Sequence, residues 1–257
     1  MILYFSATGN TEFVAKQLAK RLDDECINLL DRIKNHDYSA IRSKKPFVVC
    51  SPIYVCEPPR FLCDYLRKVS LVGNRNIYYV FTSGGYAGIA DSIVKRITKR
   101  SGMKYMGWTE LVMPRNYVAS DAYDMLDKET ARKRIRESAR KLPRIAAVIK
   151  TGQPLHGRYV FLFEKVICLP FNPVWVKIKQ PAEPFHTNDK CVGCGKCEKV
   201  CPLNNIKMVD GKPCWEGPCA HCMACIGNCP VEAIQYGNIT QKKEIYNIRK
   251  HVKKKFL

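Results

Sequence analysis

The sequence predicts an α/β protein with a doubly wound parallel sheet, followed by a second, small domain. Two observations support this prediction. In the first 150 residues, short apolar runs alternate with segments of helical periodicity, which is the pattern of a parallel sheet with helices on both faces. Nine of the 14 cysteines then lie within residues 191–229, eight of them in a repeated pattern, and the roughly 180 residues before them suffice for a separate domain with its own core.

Each element of the sheet domain has its own signal. Residues 2–5 form a short buried strand, and residues 10–22 have helical spacing, with Phe13, Val14 and Leu18 on one face. Further strands are predicted at 26–30, 46–50, 76–81 and 105–113. Further helices are predicted at 58–69, where a proline lies near the first turn, at 87–100, and at 130–148, which is basic and is expected to kink at Pro143.

The clustered cysteines form two copies of one pattern. The first copy is Cys191-x2-Cys194-x2-Cys197-x3-Cys201-Pro202, and the second repeats it 28 residues later as Cys219-x2-Cys222-x2-Cys225-x3-Cys229-Pro230. This run is the ligand signature of bacterial-type [4Fe–4S] clusters. Three closely spaced thiolates hold one face of a cluster, and the fourth comes from elsewhere in the chain.

Zinc and disulfides are the alternatives. Structural zinc usually takes two C-x2-C pairs about a dozen or more residues apart, whereas each copy here has four cysteines within eleven positions and ends in Cys-Pro. Disulfide scaffolds are typical of short secreted chains. This chain has 257 residues, and its start lacks the basic region and long apolar run of a signal peptide. We therefore expect a cytoplasmic location and thiols that are free to bind metal.

Over roughly residues 183–237 the chain resembles the bacterial two-[4Fe–4S] ferredoxins. The run Cys-Val-Gly-Cys-Gly-Lys-Cys at 191–197 and the two Cys-Pro tails carry this resemblance. It implies a small α+β domain of ferredoxin type, in which the fourth cysteine of each copy binds the other cluster. The implied ligands are Cys191, Cys194, Cys197 and Cys229 for cluster I, and Cys219, Cys222, Cys225 and Cys201 for cluster II.

The loop after the first strand has the composition of a phosphate site. Ser6-Ala7-Thr8-Gly9-Asn10-Thr11 combines hydroxyls, a glycine and the positive end of a helix, and loops after parallel strands are where ligands bind. It lacks the G-x-G-x-x-G spacing of dinucleotide sites and the Gly-Lys-Ser/Thr of nucleotide P-loops. It also lacks lysine and arginine, so we expect a single phosphate held by neutral donors.

This loop resembles the FMN phosphate loop of flavodoxins, S/T-x-T-G-N-T/S. Two further loops, Ser51-Pro52-Ile53-Tyr54-Val55 and Thr82-Ser83-Gly84-Gly85-Tyr86-Ala87-Gly88, look like the two isoalloxazine loops of that family. The resemblance implies bound FMN, a flavodoxin-like five-stranded sheet of order 2-1-3-4-5, and a flavin ring stacked on Tyr54 or Tyr86. An ordinary capped turn and half-buried rim positions for both tyrosines are the alternatives.

A flavodoxin-like region followed by a two-cluster ferredoxin resembles the flavodoxin–ferredoxin fusion proteins of the EFR1 type. Met113-Pro114-Arg115-Asn116-Tyr117 looks like the MPxNY segment of that group, which implies that Asn116 and Tyr117 border the flavin; strand capping is the alternative. The expected organisation is a flavodoxin-like FMN-binding domain at 1–150, a linker at 151–182, a ferredoxin domain at 183–240 and a basic tail at 241–257.

The segment 157–180 is rich in apolar and aromatic residues. Charged residues and prolines interrupt it, so no run of about 18 uncharged residues remains to span a bilayer. We expect an interdomain helix and linker. The alternative is a membrane-surface or partner-docking patch flanked by Lys177 and Lys179.

The chain is strongly basic, with 43 Lys and Arg against 23 Asp and Glu, a formal net charge of +20. Such a surface speeds association with acidic partners and can attract nucleic acid or anionic lipid. No nucleic-acid motif accompanies the charge, so the expected partner is an acidic redox protein or enzyme, and a solvated basic surface is the alternative. Neutralising Arg132, Arg136 and Arg140 should slow reduction by such a partner, and more so at low salt.

Together these features predict an electron-transfer iron–sulfur flavoprotein that passes electrons between FMN, two [4Fe–4S] clusters and an external partner. A flavin-dependent reductase of a small substrate, fed by the clusters, is the alternative, although no acid–base catalytic set and no nicotinamide loop stand out. A third hypothesis makes the clusters structural in a nucleic-acid-binding protein. Most of the other six cysteines are expected to be small buried residues, Cys56 is a candidate for contact with the flavin, and His221 is expected at the surface or beside the ligands.

Overall fold

The computed structural model describes residues 1–122, 124–168, 172 and 180–253. Five strands of its N-terminal part form one parallel sheet, and the two others pair with each other. The strands are β1 (Ile2–Tyr4), β2 (Cys26–Asn28), β3 (Ile41–Ser43), β4 (Phe47–Pro52), β5 (Leu71–Gly73), β6 (Asn76–Ser83) and β7 (Lys104–Val112). The sheet order is β2-β1-β4-β6-β7, which is 2-1-3-4-5 when only its own strands are counted. This confirms the predicted fold class, the doubly wound topology of flavodoxin type.

Helices cover both faces of this sheet. They are α1 (Asn10–Leu22), α2 (Leu30–Lys34), α3 (Arg60–Lys68), α4 (Ala90–Arg100) and α5 (Lys128–Lys150). Because successive strand side chains point to opposite faces, Val49 and Tyr79 pack in one core with α3 and α4, whereas Val48 and Tyr78 pack in another with α1 and α5. The strands carry near-continuous apolar runs because the sheet is buried on both sides.

The predicted strands and helices of this part are all present, with ends shifted by a few residues. The helix α2 and the parallel pair of β3 with β5, in which Ile41 lies opposite Leu71, were not predicted. These elements are only three to five residues long, too short to show a periodicity. The long basic helix α5 starts at the cap Asp127, whose carboxylate accepts from Glu129 and Thr130 N–H, and it continues through Pro143.

The C-terminal part is built from short elements. These are α6 (residues 162–168), β8 (Phe185–Thr187), α7 (Lys196–Val200), β9 (Ile206–Val209), β10 (Lys212–Trp215), α8 (Ala224–Asn228), β11 (Ile234–Tyr236) and a 3₁₀ turn at Ile248–Lys250. β8 pairs antiparallel with β11, and β9 with β10. The result is the small α+β unit that the cysteine motif predicted.

The 28-residue repeat of the cysteines is also a repeat of the backbone. The helices α7 and α8 span equivalent positions, as do the first residues of β9 and β11. The residue before each helix is left-handed in both copies, Gly195 with φ 67° and Met223 with φ 64°. A non-glycine residue is uncommon in this region, so Met223 shows that the fold of the unit imposes the conformation.

The residues expected to be a basic tail pack against the sheet domain as far as the structure describes them. Ile245, Tyr246 and Ile248 are buried, and Ile248 N–H donates to Thr8 O at 3.0 Å. Tyr246 OH donates to the Asn10 side chain at 2.6 Å. Lys254 and Lys255 of the predicted tail, and Lys177 and Lys179 of the predicted patch, lie outside the described residues. Across the described chain, every helix is too short or too polar to cross a bilayer.

Candidate functional site

A cavity of about 570 Å³ opens at the carboxyl ends of β1, β4, β6 and β7. The three predicted loops line it, except for Gly9, Ser51, Ala87 and Gly88. The predicted residues that face it are Ser6, Thr8, Asn10, Thr11, Pro52, Ile53, Tyr54, Val55, Thr82, Ser83, Gly84, Gly85 and Tyr86. They meet because parallel strands bring the loops after them to one edge of the sheet.

The first loop is a tight turn at the N-terminus of α1. Gly9 has φ 96°, and a Cβ there would lie 2.2 Å from Ile248 Cγ2, so this position needs glycine for its conformation and its packing. Thr11 Oγ1 shares a hydrogen bond of 2.8 Å with Thr82 Oγ1, which ties the first loop to the third. The helix terminus and the hydroxyl of Thr8 therefore face the cavity from a fixed backbone.

The second loop turns sharply at Tyr54–Glu57, whose two residues exchange backbone hydrogen bonds of 2.8 and 3.2 Å. Val55 and Cys56 both have positive φ, at 48° and 68°. Gly88 leaves room for this turn, because a Cβ there would lie 2.3 Å from Cys56 O. The hydroxyl of Tyr54 is buried and has no hydrogen-bond partner among the described residues, and burial raises its pKa. A buried, unpaired hydroxyl at a cavity wall suits a polar ligand atom.

The third loop carries Tyr86, which is 44% exposed. Its hydroxyl donates to Glu164 Oε2 at 2.6 Å, and the Arg158 guanidinium lies 4.7 Å from its ring centre. Arg158 also pairs with Glu164 at 2.7 Å, and this hydrogen bond holds the pKa of Glu164 down at about 2. Tyr86 is therefore fixed at the mouth of the cavity by residues 158–164. The sequence predicted an interdomain helix and linker or a docking patch for this segment, and no contribution to the cavity.

The segment after β7 adds residues from a fourth loop. Pro114, Arg115, Asn116 and Tyr117 all line the cavity. Asn116 Nδ2 donates to Thr8 Oγ1 at 3.0 Å, so this segment braces the first loop. The first loop itself has no cation, but the fold brings Arg115 from a distant loop to the same cavity.

The cysteine-rich part closes one side of the cavity. Gln180 and His221 line it, and His221 Nδ1 lies 3.2 Å from Tyr117 OH. His221 is 3% exposed, with Nε2 2.8 Å from Pro181 O, and burial lowers its pKa. Of the two positions expected for His221, at the surface or beside the ligands, the structure shows the second, and its backbone N–H donates to Cys219 Sγ at 3.3 Å. Its neighbours come from three separate segments, which no local pattern reveals.

The eight motif cysteines separate into two groups, each around its own small cavity. We call Cys201, Cys219, Cys222 and Cys225 the inner group, and Cys191, Cys194, Cys197 and Cys229 the outer group. Each group takes three cysteines from one copy and the last cysteine of the other copy. This grouping is the one that crossed ligation requires.

The sulfurs of each group surround a space rather than a point. Among the described residues, no three His, Cys, Asp or Glu side chains converge closely enough for a single metal ion. Burial raises the pKa of Cys219 to about 11 and also raises that of Cys197, so both are neutral thiols unless a metal stabilises the thiolates. The donor set and its spacing fit a four-iron cluster in each group.

The inner group adjoins the large cavity. Asn116 Nδ2 donates to Cys222 O at 3.5 Å, and Cys222 packs in the same hydrophobic core as Tyr54. On the adjacent turn, Asn228 Nδ2 donates to Ala7 O at 2.8 Å. His221, which lies between Cys219 and Cys222 in the chain, lines the large cavity, whereas no residue of the outer group's first run, 191–197, does so, and Cys194 is exposed. One group thus faces the cavity and the other faces the surface.

Comparisons with known proteins place the cysteine-rich part in a family. Two models, each described as a 4Fe-4S binding domain, match residues 184–207 and 216–237. An uncharacterized ferredoxin of Methanocaldococcus jannaschii is 36% identical over 67 residues, covering 24% of this chain and 87% of that protein.

Two solved structures cover more than half of the chain at low identity. The general stress protein 14 of Treponema denticola, in complex with FMN, has a TM-score of 0.35 and 14% identity, and covers 58% of this chain and 97% of its own. The Trp repressor binding protein of Bacillus subtilis has a TM-score of 0.33 and 16% identity, and covers 56% and 96%. With its own sheet topology and these family matches, the chain joins a flavodoxin-like α/β region to a C-terminal region that belongs to the ferredoxin family.

Proposed function

We propose that this protein is an electron-transfer iron–sulfur flavoprotein, which passes electrons between FMN in the large cavity, two [4Fe–4S] clusters and an external redox partner. The observation that carries this proposal is the position of the inner cysteine group. Its Cys222 accepts a hydrogen bond from Asn116, a residue that lines the cavity, and packs in the same hydrophobic core as Tyr54. A flavin in the large cavity and a cluster in the inner group would then be neighbours held by the same folded chain.

The cavity fits FMN in size and in its donors. Its volume of about 570 Å³ lies within the usual range for cofactor sites, roughly 300–1,000 Å³. The first loop would hold the phosphate with Thr8, Thr11 and the α1 terminus, and Arg115 would add a positive charge. The second and third loops would flank the ring, where the unpaired Tyr54 hydroxyl offers a hydrogen bond.

A bound FMN would supply exchange of electrons singly or in pairs, whereas each cluster passes one. The chain's own residues set the distances between the cofactors and limit the access of water to them. Crossed ligation ties the two clusters together, and the hydrogen bonds of Asn228 to Ala7 and Asn116 to Thr8 tie the inner group to the first loop. We propose the order FMN, inner cluster, outer cluster, partner, because exposed Cys194 belongs to the outer group.

Cofactor analysis of anaerobically purified protein tests the proposal directly. We expect about eight irons, a matching amount of sulfide and one FMN per chain. Rapid reduction followed by spectroscopy should then show electrons crossing between flavin and clusters. Zinc in place of iron, about four irons, or clusters that never exchange electrons with the flavin would contradict it.

Replacing Tyr54 by phenylalanine should have opposite effects on the free and the FMN-loaded protein. Without flavin the substitution removes a buried hydroxyl that lacks a partner, so it should raise stability by about 1 kcal/mol. With flavin it removes a hydrogen bond, so the stabilisation by FMN should shrink. Thermal unfolding with and without FMN measures both effects. Equal shifts in the two states would show that the hydroxyl does not contact the cofactor.

The surface around the outer group is proposed to receive an acidic partner. Lys190, Lys196 and Lys212 are exposed near Cys194. Changing these three lysines to glutamine should slow reduction by an acidic ferredoxin, and the loss should fade as salt rises because exposed charges are screened beyond about 10 Å at 0.1 M salt. The exposed stripe of Arg132, Arg136 and Arg140 on α5 is the matched comparison.

The arginine triple variant should also slow the reaction at low salt, as the sequence predicts, but less than the lysine variant. The reason is distance: α5 packs on the face of the sheet together with α1, away from the outer group. Stopped-flow rates at several salt concentrations separate the two surfaces. Rates that are independent of salt in the native protein would remove electrostatic docking altogether.

A further inference from the structure

Two buried side-chain donors beside the inner group have no hydrogen-bond partner. They are the indole Nε1–H of Trp215 and the amide Nδ2–H of Asn205, and neither atom finds an acceptor among the described residues. Both residues line the cavity that the four cysteines of the inner group surround, and Asn205 is 5% exposed. Nearly all buried polar groups of native proteins have a partner, so two unpaired donors at one cavity indicate an acceptor inside it.

The hairpin of β9 and β10 places both donors at this cavity. Asn205 directly precedes β9, and Trp215 is the last residue of β10, where it lies opposite Ile206. The side-chain oxygen of Asn205 accepts from Gly217 N–H, which fixes the orientation of the amide and leaves its NH₂ group as the free donor. The Trp215 ring is stacked on Phe185, with ring centres 5.5 Å apart and 14° between the planes. Both donors are therefore held in place by the folded hairpin.

The outer group has no equivalent of these two donors. In the repeat, the positions that correspond to Asn205 and Trp215 are Ala233 and Thr187, and neither of them lines the cavity of the outer group. Apart from the cysteines, Lys196 is the one residue described around that cavity whose side chain has a donor, and Lys196 is exposed. In the part of the chain that the structure describes, the two sites thus differ by a pair of neutral, buried donors at the inner group.

A hydrogen-bond donor beside an iron–sulfur cluster favours the reduced state of that cluster. The sulfurs carry negative charge, which grows when the cluster accepts an electron, so a charge-assisted hydrogen bond to them strengthens on reduction and raises the potential. Burial acts in the opposite direction, because apolar surroundings disfavour the more negative state. Cys222 and Cys225 of the inner group are each 8% exposed, whereas Cys194 of the outer group is exposed. Burial alone would therefore make the inner cluster the harder of the two to reduce.

We propose that Trp215 and Asn205 donate hydrogen bonds to sulfurs of the inner cluster and set its reduction potential above the value that burial alone would give. The two side chains would thereby offset the burial that accompanies the position of this cluster beside the large cavity. Neither side chain gains or loses an electron or a proton, and each acts only through the sulfur that it contacts. The inference rests on the proposed function, which places a cluster in the inner group, but it holds whether or not electrons also reach the flavin.

The test measures both cluster potentials in the full-length, cofactor-loaded protein. Trp215→Phe keeps a ring that can stack on Phe185 but removes the N–H, and Asn205→Leu removes the amide at similar size. In an anaerobic redox titration followed by paramagnetic resonance, each variant should lower one cluster potential and leave the other unchanged. We expect the reduction equilibrium of that cluster to shift on the order of tenfold, which is about 59 mV for one electron.

Isotope labelling gives a second measurement that does not depend on the potential. With ¹⁵N in the indole groups, pulsed paramagnetic resonance of the reduced native protein should show a ¹⁵N coupling to a cluster. Trp215→Phe should lose this coupling although Trp108 and Trp175 remain labelled.

Tyr236→Phe is the matched control. The Tyr236 ring packs on the same Phe185, with ring centres 4.8 Å apart, but its hydroxyl already donates to Pro181 O at 3.3 Å, and Tyr236 does not line the cavity of the inner group. This substitution removes a polar hydrogen from the same aromatic cluster without removing an unpaired donor. It should leave both cluster potentials and the ¹⁵N coupling unchanged.

Iron analysis separates a failure of this inference from a failure of the proposed function. Protein with about eight irons per chain in which both variants leave both potentials unchanged, or lower both equally, would overturn the role of the two donors alone. Protein without iron–sulfur clusters would overturn the proposed function together with this inference. If a variant loses iron, the native protein decides the case of Trp215, because the absence of a ¹⁵N coupling there would contradict the hydrogen bond.

Discussion

Replacing Cys201 by serine is expected to remove the inner cluster, although Cys201 belongs to the first copy of the motif. The reason is geometric: Cys201 lies around one cavity with Cys219, Cys222 and Cys225. Iron should fall from about eight to about four per chain at best, and electrons should no longer pass from FMN to the outer cluster. Iron analysis and paramagnetic resonance of the rapidly reduced protein measure the two effects.

Cys229→Ser is the matched variant, because Cys229 is the equivalent residue of the second copy and lies with the outer group. It should remove the outer cluster and leave transfer between FMN and the inner cluster intact. Cys50→Ser, at a buried cysteine of the sheet domain, should retain all the iron. If Cys201→Ser instead spares the cluster beside the flavin, ligation is not crossed and the proposed electron order fails.

Replacing Gly227 by leucine is expected to weaken FMN binding, although Gly227 does not itself line the cavity. A Cβ at Gly227 would lie 2.6 Å from Thr8 Cγ2, so any side chain there must push the first loop of the cavity or separate the two parts of the chain. Overpacking of this kind costs about 1–3 kcal/mol, which corresponds to roughly 5- to 150-fold in affinity. The change in affinity is measured by titrating the flavin-free protein with FMN and monitoring flavin fluorescence.

The repeat supplies the control for this experiment. Lys199 occupies the position of Gly227 in the first copy, 28 residues earlier, and it is exposed on α7. The backbone of the repeat therefore tolerates a long side chain there, and Lys199→Leu should change FMN affinity little. A large loss in both variants would mean that the helix itself is damaged, and no loss in Gly227→Leu would mean that the two parts are not packed together in solution.

Much of the proposed site was readable because its residues are contiguous. The loop from Ser6 to Thr11 and the loop from Thr82 to Gly88 each follow a buried apolar run, and the topology of a parallel sheet brings such loops to one edge. The cysteine spacing was readable for the same reason, since three ligands of a cluster lie on one short turn. Both patterns are local, so they can be recognised in the sequence without any knowledge of how the chain packs.

Other parts of the site had no local signal. Arg115, His221 and Ile248 reach the cavity or its first loop from three distant segments. The basic composition of residues 241–257 predicted a solvated tail, whereas Ile245, Tyr246 and Ile248 are three apolar residues that a search for charge overlooks. Their burial depends on the surface that Gly9 leaves open, and that surface exists only after the sheet domain has folded.

The amino-acid sequence alone predicted the alternating strands and helices and the loops at the edge of the sheet, because each follows from a local pattern. The sheet order and the two sets of cluster ligands were implied by the resemblances to flavodoxins and ferredoxins. Tertiary structure alone decided which cysteine group adjoins the cavity and which one has an exposed cysteine. Those contacts join residues far apart in the chain. They depend on glycines such as Gly227, which let two folded surfaces approach closely. The spacing of residues along the chain does not predict that contact.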